Sequence, residues 1–271
     1  MVLSLEHDLL MSAAAKTQRL DARLVAEGLC VDLHEAQAFV LAGRVMVGEQ
    51  KAQKAGMPVA LHLPLRLIGG PPMPYVSRGG VKLEGALREL GVDVVGKHCI
   101  DVGASTGGFT DCLLQRGAAE VVAVDIGFGL LHDKLRRDER VHVLERTHAR
   151  ALTPSMLPWP ADLLVMDVSF IGARSVLPAL VPLCRPGGQL LIMVKPQFEA
   201  AREDVEPGGV VRDDTVRWQT VAQVETLAEA LGCRVLGRAE SQLHGPMGNR
   251  EIFVLLQRTE SAAPLDADPR A

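Results

Sequence analysis

The hydrophobic pattern of the chain changes near residue 70. Beyond this point, short apolar runs alternate with amphipathic segments of helical period. These runs and helical segments cover residues 98–103, 108–116, 120–125, 141–144, 162–166, 173–184, 188–194, 216–231, 233–239 and 251–257. Because strands that alternate with helices usually pair in parallel, the pattern predicts an α/β fold with a mostly parallel, doubly wound, Rossmann-like sheet.

Residues 1–68 follow another pattern and are predicted to form a small separate module. Two short amphipathic helices, one within 19–25 and one within 34–41, precede a tight turn and a strand at 45–47. Two helices followed by a turn and a strand predict an α+β unit.

The break between the two patterns is rich in glycine and proline, which extend neither a helix nor a central strand. We therefore predict a linker at 69–75 and a main domain at 76–258. The tail at 259–271 is rich in Ala, Asp and Pro and is predicted to be disordered.

The apolar runs are too short for a membrane protein. Pro186, Gly187 and Gly188 split the longest of them, so no run reaches the roughly 20 residues that a membrane helix needs. The first residues include Glu6 and Asp8 where a signal peptide has a basic start, so a cytoplasmic protein is expected.

Cysteine spacing and net charge limit the kinds of binding site that the chain can contain. The five cysteines are scattered among apolar neighbours without a CxxC pair, which predicts reduced core residues and no metal site. The formal net charge is −4, whereas proteins that bind nucleic acid through phosphates are usually basic. Any binding of RNA must therefore come from local basic patches.

A glycine-rich turn at residues 99–110 is the strongest candidate for a ligand site. An apolar strand runs into Asp101-Val-Gly-Ala-Ser-Thr-Gly-Gly108 and then into a helix, an arrangement that offers unpaired backbone N–H groups to a ligand. The glycine spacing is not that of a dinucleotide turn, and Asp125 ends the next apolar run. An acid there accepts hydrogen bonds from a ribose diol, so S-adenosylmethionine is favoured. The alternative is a turn whose glycines serve packing alone.

Charged residues at predicted strand ends form the second candidate. Asp167 and Lys195 each follow an apolar run, and ligands of such sheets bind beyond the carboxyl ends of the strands. Glu251 begins the last run, which would lie beside these ends if its strand is antiparallel. Lys82 lies on the early turns of a helix predicted to run to about Leu90. The alternative for Asp167 and Lys195 is a structural ion pair.

Six motifs resemble the TlyA family, whose members are ribosomal RNA 2′-O-methyltransferases, sometimes labelled haemolysins, with a catalytic domain similar to FtsJ/RrmJ. The motifs are Ser-Arg-Gly-Gly-Val-Lys-Leu, Asp-Val-Gly-Ala-Ser-Thr-Gly-Gly-Phe-Thr, Met-Asp-Val-Ser-Phe-Ile, Val-Lys-Pro-Gln-Phe-Glu, Gly-Gly-Val-Val-Arg-Asp and Gly-Asn-Arg-Glu. The resemblance covers residues 17–257 and implies a methyltransferase sheet with S-adenosylmethionine as cofactor.

The resemblance also assigns site residues. It implies a catalytic tetrad of Lys82, Asp167, Lys195 and Glu251. The cofactor residues that it implies are Asp101, Gly103, Ala104, Ser105, Thr106, Gly107, Gly108, Asp125, Ile126 and His148. His148 lies where relatives commonly carry Asn, which is a departure at the adenine end of the site.

The N-terminal module resembles the RNA-binding module first known from ribosomal protein S4, through Arg-Leu-Asp at 19–21 and Ala-Gly-Arg-Val-Met-Val at 42–47. The likeness implies phosphate contacts for Arg19, Arg23, His34 and Arg44. For Arg19 and Arg23, the alternative is a solvated helix face.

Ribose methylation needs a group that favours the alkoxide, because a ribose hydroxyl is a weak nucleophile at neutral pH. We expect Lys195 to take the proton, with Asp167 and Glu251 orienting the ammonium groups, and we expect no metal. The expected partner is ribosomal RNA within ribosomal subunits. A small-molecule O-methyltransferase with a degenerate RNA module and a haemolysin remain alternatives, although no membrane-inserting amphipathic stretch is evident.

Overall fold

A computed structural model describes residues 17–27, 29–30, 33–68, 74–243, 245 and 248–260. Internal contacts divide the chain into two units, Met1–Met73 and Pro74–Ala271. Residues 69–73 of the predicted linker at 69–75, and residues 261–271 of the predicted disordered tail at 259–271, lie outside the described residues. The two units are described separately below.

The N-terminal unit is a small α+β structure. Its elements are β1 Thr17–Arg19, α1 Leu20–Ala26, α2 Leu33–Leu41, β2 Val45–Val47, β3 Gln50–Lys51, β4 Pro58–Ala60 and β5 Leu65–Leu67. β1 pairs antiparallel with β4, and β2 pairs antiparallel with both β3 and β5. Leu20, Leu24, Phe39 and Val45 form the centre of its core. The two helices and the strand at 45–47 occur as predicted, whereas the pattern did not predict the other four short strands.

The second unit is built on a seven-stranded sheet. Its strands are β6 His98–Val102, β7 Glu120–Val124, β8 Val141–Leu144, β9 Ala161–Met166, β10 Cys184–Val194, β11 Cys233–Glu240 and β12 Ile252–Arg258. Its α-helices are α3 Arg78–Glu89, α4 Gly108–Gln115, α5 Asp133–Arg136, α6 Leu177–Leu180, α7 Pro196–Glu199 and α8 Asp214–Ala230. The strand order is β11-β12-β10-β9-β6-β7-β8. The predicted α/β fold is confirmed.

The direction of β12 decides what lies at one edge of the sheet. Strands β6 to β10 are parallel, whereas β12 runs antiparallel to β10 and pairs Ile252 with Val194. The start of β12 therefore lies beside the carboxyl end of β10. Glu251, which precedes β12, and Lys195, which follows β10, come to the same edge of the sheet.

The sheet is covered on both faces by apolar side chains. Alternate residues of β6 belong to two hydrophobic clusters, with Ile100 and Val102 in one and Cys99 in the other. This is the expected outcome when successive side chains of a doubly covered strand point to opposite faces. All five cysteines are described, are buried and form no disulfide with one another, as predicted for core residues. No helix among the described residues is long and apolar enough to cross a membrane.

Asp101 joins the end of β6 to the start of α4. The residue is fully buried, and its Oδ2 accepts hydrogen bonds from the Thr110 backbone N–H at 2.9 Å and the Thr110 hydroxyl at 2.7 Å. Its Oδ1 is buried without a hydrogen-bond partner among the described residues. Burial raises the pKa of the Asp101 carboxyl to about 7, although the Thr110 hydrogen bonds oppose this shift.

The raised pKa of Asp101 predicts a pH-dependent stability. Between about pH 4 and pH 7 the folded chain keeps a proton that the unfolded chain has lost, so its stability should fall as pH rises through this range. In Asp101→Asn, the contribution of this proton to the pH dependence of the unfolding free energy should vanish. The unfolding free energy of the variant relative to wild type should rise between pH 5 and pH 7 by about 1 kcal/mol per pH unit, as measured by denaturant titration.

Asp213→Asn is the matched control for this experiment. Asp213 caps α8, and hydrogen bonds from the Thr215 and Val216 backbone N–H groups lower its pKa. The unfolding free energy of this variant should depend on pH in the same way as that of wild type except at acidic pH. Parallel stability curves for Asp101→Asn and wild type between pH 5 and pH 7 would contradict the assignment.

Candidate active site

Two cavities lie side by side at the carboxyl edge of the sheet in the second unit. The first, of about 530 Å³, is lined by Arg78, Lys82, Asp167, Lys195 and Gly245 together with residues of the glycine turn. The second, of about 450 Å³, is lined by Asp125, Ile126, Leu130, His148 and Phe170 among others. The two cavities share Gly103, Ser105, Asp167 and Ser169 as lining residues.

Two lysine–carboxylate pairs organise the first cavity. Lys82 Nζ lies 2.5 Å from Glu251 Oε2, and their side chains are 11% and 0% exposed. Lys195 Nζ lies 2.5 Å from Asp167 Oδ1, and it also donates a hydrogen bond to Ser169 Oγ at 3.0 Å. The four residues that the sequence resemblance singled out thus form two partly or fully buried ion pairs. Each buried charged group of the two pairs has a group of opposite charge within contact distance, as burial of a charge requires.

The four residues come from four separate elements; Lys82, Asp167 and Lys195 line the cavity, and Glu251 lies behind Lys82. Lys82 lies on the second turn of α3, and Asp167 follows β9 directly, with its backbone N–H bonded to the Val102 carbonyl at 3.0 Å. Lys195 follows β10 and is the N-cap residue of α7. The position of Glu251 in the site depends on the antiparallel direction of β12. The site is therefore assembled from residues 169 positions apart in sequence.

The glycine turn is shaped mainly by the protein's own packing. Gly107 has φ +95°, and a Cβ atom there would lie 2.2 Å from Leu135 Cδ1. A Cβ on Gly108 would lie 2.2 Å from Ser77 Oγ, and one on Gly103 would lie 2.3 Å from the Asp167 carbonyl oxygen. Gly103 and Gly108 also line a cavity, whereas Gly107 lines neither of the two. For Gly107, the packing alternative is the better account.

The acid at the end of β7 is held rigidly at the wall of the second cavity. Asp125 Oδ2 accepts a hydrogen bond from the Ser105 backbone N–H at 2.7 Å, and Oδ1 accepts one from the Gly127 backbone N–H at 2.7 Å. Each carboxylate oxygen retains a lone pair for a further donor, such as a ribose hydroxyl. Ile126 is 67% exposed beside it.

His148 lines the same cavity and begins a short 3₁₀ helix. Its Nδ1 accepts a hydrogen bond from the Arg150 backbone N–H at 3.1 Å, which fixes the ring at the cavity wall. A cavity with a carboxylate, an imidazole and apolar side chains matches the chemistry of an adenosine group. The residues present therefore fit the nucleoside part of S-adenosylmethionine.

Asp101 is the clearest correction to the sequence interpretation. Resemblance implied that it contacts the cofactor, but it is fully buried and lines neither cavity. Its bonds to Thr110 instead fix the turn from β6 into α4, on which the walls of both cavities depend.

Sequence reasoning missed two residues that lie two and three positions after Asp167. Ser169 bonds Lys195, and Phe170 is 89% exposed at the second cavity with a left-handed backbone at φ +69°. Both belong to the Met-Asp-Val-Ser-Phe-Ile motif, so the signal was their position after a functional acid. For a non-glycine residue, a positive φ is uncommon and often marks a functional loop.

The predicted RNA-contact residues of the N-terminal unit differ in their availability. The Arg19 side chain is 65% exposed and forms an ion pair with Asp21 at 2.7 Å. Arg44 stacks its guanidinium 4.7 Å from the Phe39 ring centroid and bonds the Ile68 carbonyl. The His34 side chain lies outside the described part of the structure.

Arg23 is bonded within its own unit. Its side chain is 6% exposed, and its guanidinium bonds Glu27 together with the carbonyl oxygens of Ala60 and Leu63. These bonds tie α1 to β4 and to the loop that follows β4, so the alternative of a solvated position is wrong for Arg23. The implied RNA contact of Arg23 stays a prediction.

The described residues contain no group of three or more His, Cys, Asp or Glu side chains that could hold a metal ion. His132 and His148 instead accept hydrogen bonds from backbone N–H groups at the starts of short helices.

Comparison with known proteins agrees with this geometry. The model of the FtsJ-like methyltransferases matches residues 75–258. The Mycobacterium tuberculosis protein named 16S/23S rRNA (cytidine-2′-O)-methyltransferase TlyA is 44% identical over 253 residues, which cover 93% of this chain and 94% of that protein. Hemolysin A of Brachyspira hyodysenteriae is 36% identical over 87% of this chain and 98% of its own.

A solved structure described as a candidate hemolysin from Streptococcus thermophilus superposes with a TM-score of 0.70 at 37% identity. It covers 92% of this chain and 90% of its own. The matched family model includes both cavities and all four residues of the two ion pairs. The chain therefore belongs to the FtsJ-like methyltransferases and, among them, to the TlyA family.

Proposed function

We propose that this protein transfers the methyl group of S-adenosylmethionine to a ribose 2′-hydroxyl, that of a cytidine in ribosomal RNA. The proposal rests on one observation: two buried lysine–carboxylate pairs lie together beside a cavity large enough for a nucleoside. The printed function of the M. tuberculosis relative supports both the rRNA substrate and the cytidine. Action on ribosomal subunits would take place in the cytoplasm.

The cofactor would span the two cavities. Asp125, Ile126 and His148 would hold the adenosine end, and the turn from Gly103 to Thr106 would hold the methionine end. When bound, the cofactor supplies an electrophilic methyl group on sulfur. The cavities share part of their wall, so this methyl group can face the lysines.

Lys195 would act as the base. Its Nζ would accept the proton of the 2′-hydroxyl, and the bound cofactor would supply the methyl group to the oxygen. Asp167 and Ser169 fix the direction of Nζ and stabilise the ammonium that forms. Lys82, held by Glu251, adds positive charge near the developing alkoxide.

Alignment of the reacting atoms supplies the rest of the rate enhancement. Orientation of a bound nucleophile can contribute roughly 7–11 kcal/mol. The buried ion pairs suit this task because their partners leave few alternative rotamers to either lysine.

Lys195→Ala should abolish methyl transfer and leave cofactor affinity near that of wild type. Loss of a general base typically costs about 10²- to 10⁴-fold in rate. The assay is transfer of tritiated methyl groups to ribosomal subunits from a strain that lacks the activity, with calorimetric titration of the cofactor. Lys97→Ala is the matched control, because Lys97 bonds Gln189 near the start of β6, far from the carboxyl edge. An active Lys195→Ala protein would remove this residue from the role of base.

The N-terminal unit would recruit the ribosomal particle through Arg19 and Arg44. The variant Arg19→Gln with Arg44→Gln should raise the KM for ribosomal subunits and leave kcat unchanged. Each lost phosphate contact should also reduce the salt dependence of binding by about one unit of slope. Arg66→Gln, an exposed position on β5 outside the predicted set, is the control.

Two outcomes would separate this proposal from its alternative. An unchanged KM in the double variant would contradict RNA recruitment by this face of the unit. A wild-type protein that binds the cofactor but labels no ribosomal RNA would favour a small-molecule O-methyltransferase instead.

A further inference from the structure

Two loops leave the sheet side by side at the site, and the sheet does not set the distance between them. One loop, 167–172, follows β9, and the other, 195–199, follows β10. The last register pair of these strands is Met166 with Ile192. Beyond this pair, the separation of the two loops depends on side-chain contacts.

Those contacts run along both loops in order. Lys195 contacts Asp167 at 2.5 Å and Ser169 at 3.0 Å. The Phe198 ring lies 5.8 Å from the Phe170 ring, centroid to centroid. The proposed chemistry uses the contacts of Lys195. Other contacts between the two loops must therefore keep Lys195 in place.

Glu199 closes this series of contacts at its far end. Its side chain is 1% exposed, and its carboxylate accepts hydrogen bonds from the Ala173 backbone N–H and from Arg174 Nε, the latter at 3.0 Å. Arg174 also donates to the Glu199 carbonyl oxygen at 2.8 Å. A Cβ on Gly172 would lie 2.8 Å from the Glu199 carboxylate, so the loop lies directly against it.

We infer that Glu199 is a positioning residue, which holds the loop after β9 against the loop after β10 and thereby sets the contact between Asp167 and Lys195. The inference rests on the proposed function. Glu199 touches neither of the two cavities described above and acts only through the groups on its two loops. A buried carboxylate that accepts two hydrogen bonds, beside a backbone carbonyl oxygen that accepts a third, forms a rigid link between chain segments.

The test compares Glu199→Gln with a matched buried acid elsewhere. Burial raises the pKa of the Glu199 carboxyl although Arg174 and Ala173 oppose this, so a neutral amide of the same shape should keep the fold. The control is Glu225→Gln. Glu225 is 10% exposed and bonds Arg238 at 2.6 Å between α8 and β11, away from the site.

Glu199→Gln should lower the single-turnover rate of methyl transfer by about ten- to a hundredfold, as expected for a small misplacement of a reacting group. Cofactor affinity should stay at the wild-type value. The loss should fall on kcat and leave the KM for ribosomal subunits unchanged, because the substitution alters the placement of Lys195 and not the binding of RNA. Glu225→Gln should change thermal stability alone.

Arg174→Gln provides a second variant. Its side chain is 40% exposed, so it should fold, and it should show a smaller rate loss in the same direction. Values of kcat and KM for both variants equal to those of Glu225→Gln would overturn the inference. If Glu199→Gln does not fold, the rate of Arg174→Gln decides the question. A wild-type protein that transfers no methyl group to RNA would overturn the proposed function and this inference with it.

Discussion

Two ammonium groups in this protein are held almost out of water, and each is tolerated there because a carboxylate touches it. Lys195 and Lys82 are 10% and 11% exposed, with Asp167 and Glu251 at 2.5 Å. Removing a charge from water costs several kcal/mol, so neither member of a pair would be stable in this position alone. The sheet topology, the turn after β6 and the direction of β12 all serve to bring these partners together.

Part of this site could be predicted from the sequence because it depends on local pattern. Apolar runs mark where buried strands end, and Asp167 and Lys195 follow two such ends. The carboxyl ends of parallel strands lie at one edge of a sheet, so the proximity of Asp167 and Lys195 could be predicted from the hydrophobic period and the order of the segments alone. Glu251 could not be placed in this way, because its position depends on whether β12 is antiparallel, which local pattern does not fix.

Several residues of the motifs have their partners inside the protein. Asp101 and Arg23 occupy positions in which a polar side chain satisfies backbone or hydroxyl groups of another segment. Gly107 likewise makes room for Leu135, which lies 28 positions further along the chain. A motif identifies the residue type, but only the fold shows whether its partner is a ligand or the protein itself. For Ser169 and Phe170, the motif gave the position after Asp167, but only the fold shows that Ser169 bonds Lys195 and that Phe170 lines the second cavity.

The two cavities divide the proposed work between recognition and chemistry. The second offers a carboxylate and apolar side chains to a nucleoside, and the first offers the lysines to a hydroxyl group. Their common residues, Gly103, Ser105, Asp167 and Ser169, lie where the methyl group would pass from sulfur to oxygen. Asp167 lines both cavities and pairs with the proposed base Lys195, which would couple cofactor binding to catalysis.

A crystal structure of the protein with S-adenosylmethionine tests this account most directly. The account predicts adenosine against Asp125 and His148, with the sulfonium methyl group facing Lys195 across the shared wall and both ion pairs intact. A cofactor whose methyl group points away from Lys195, or a complex in which Lys82 lies outside the cavity and apart from Glu251, would contradict it.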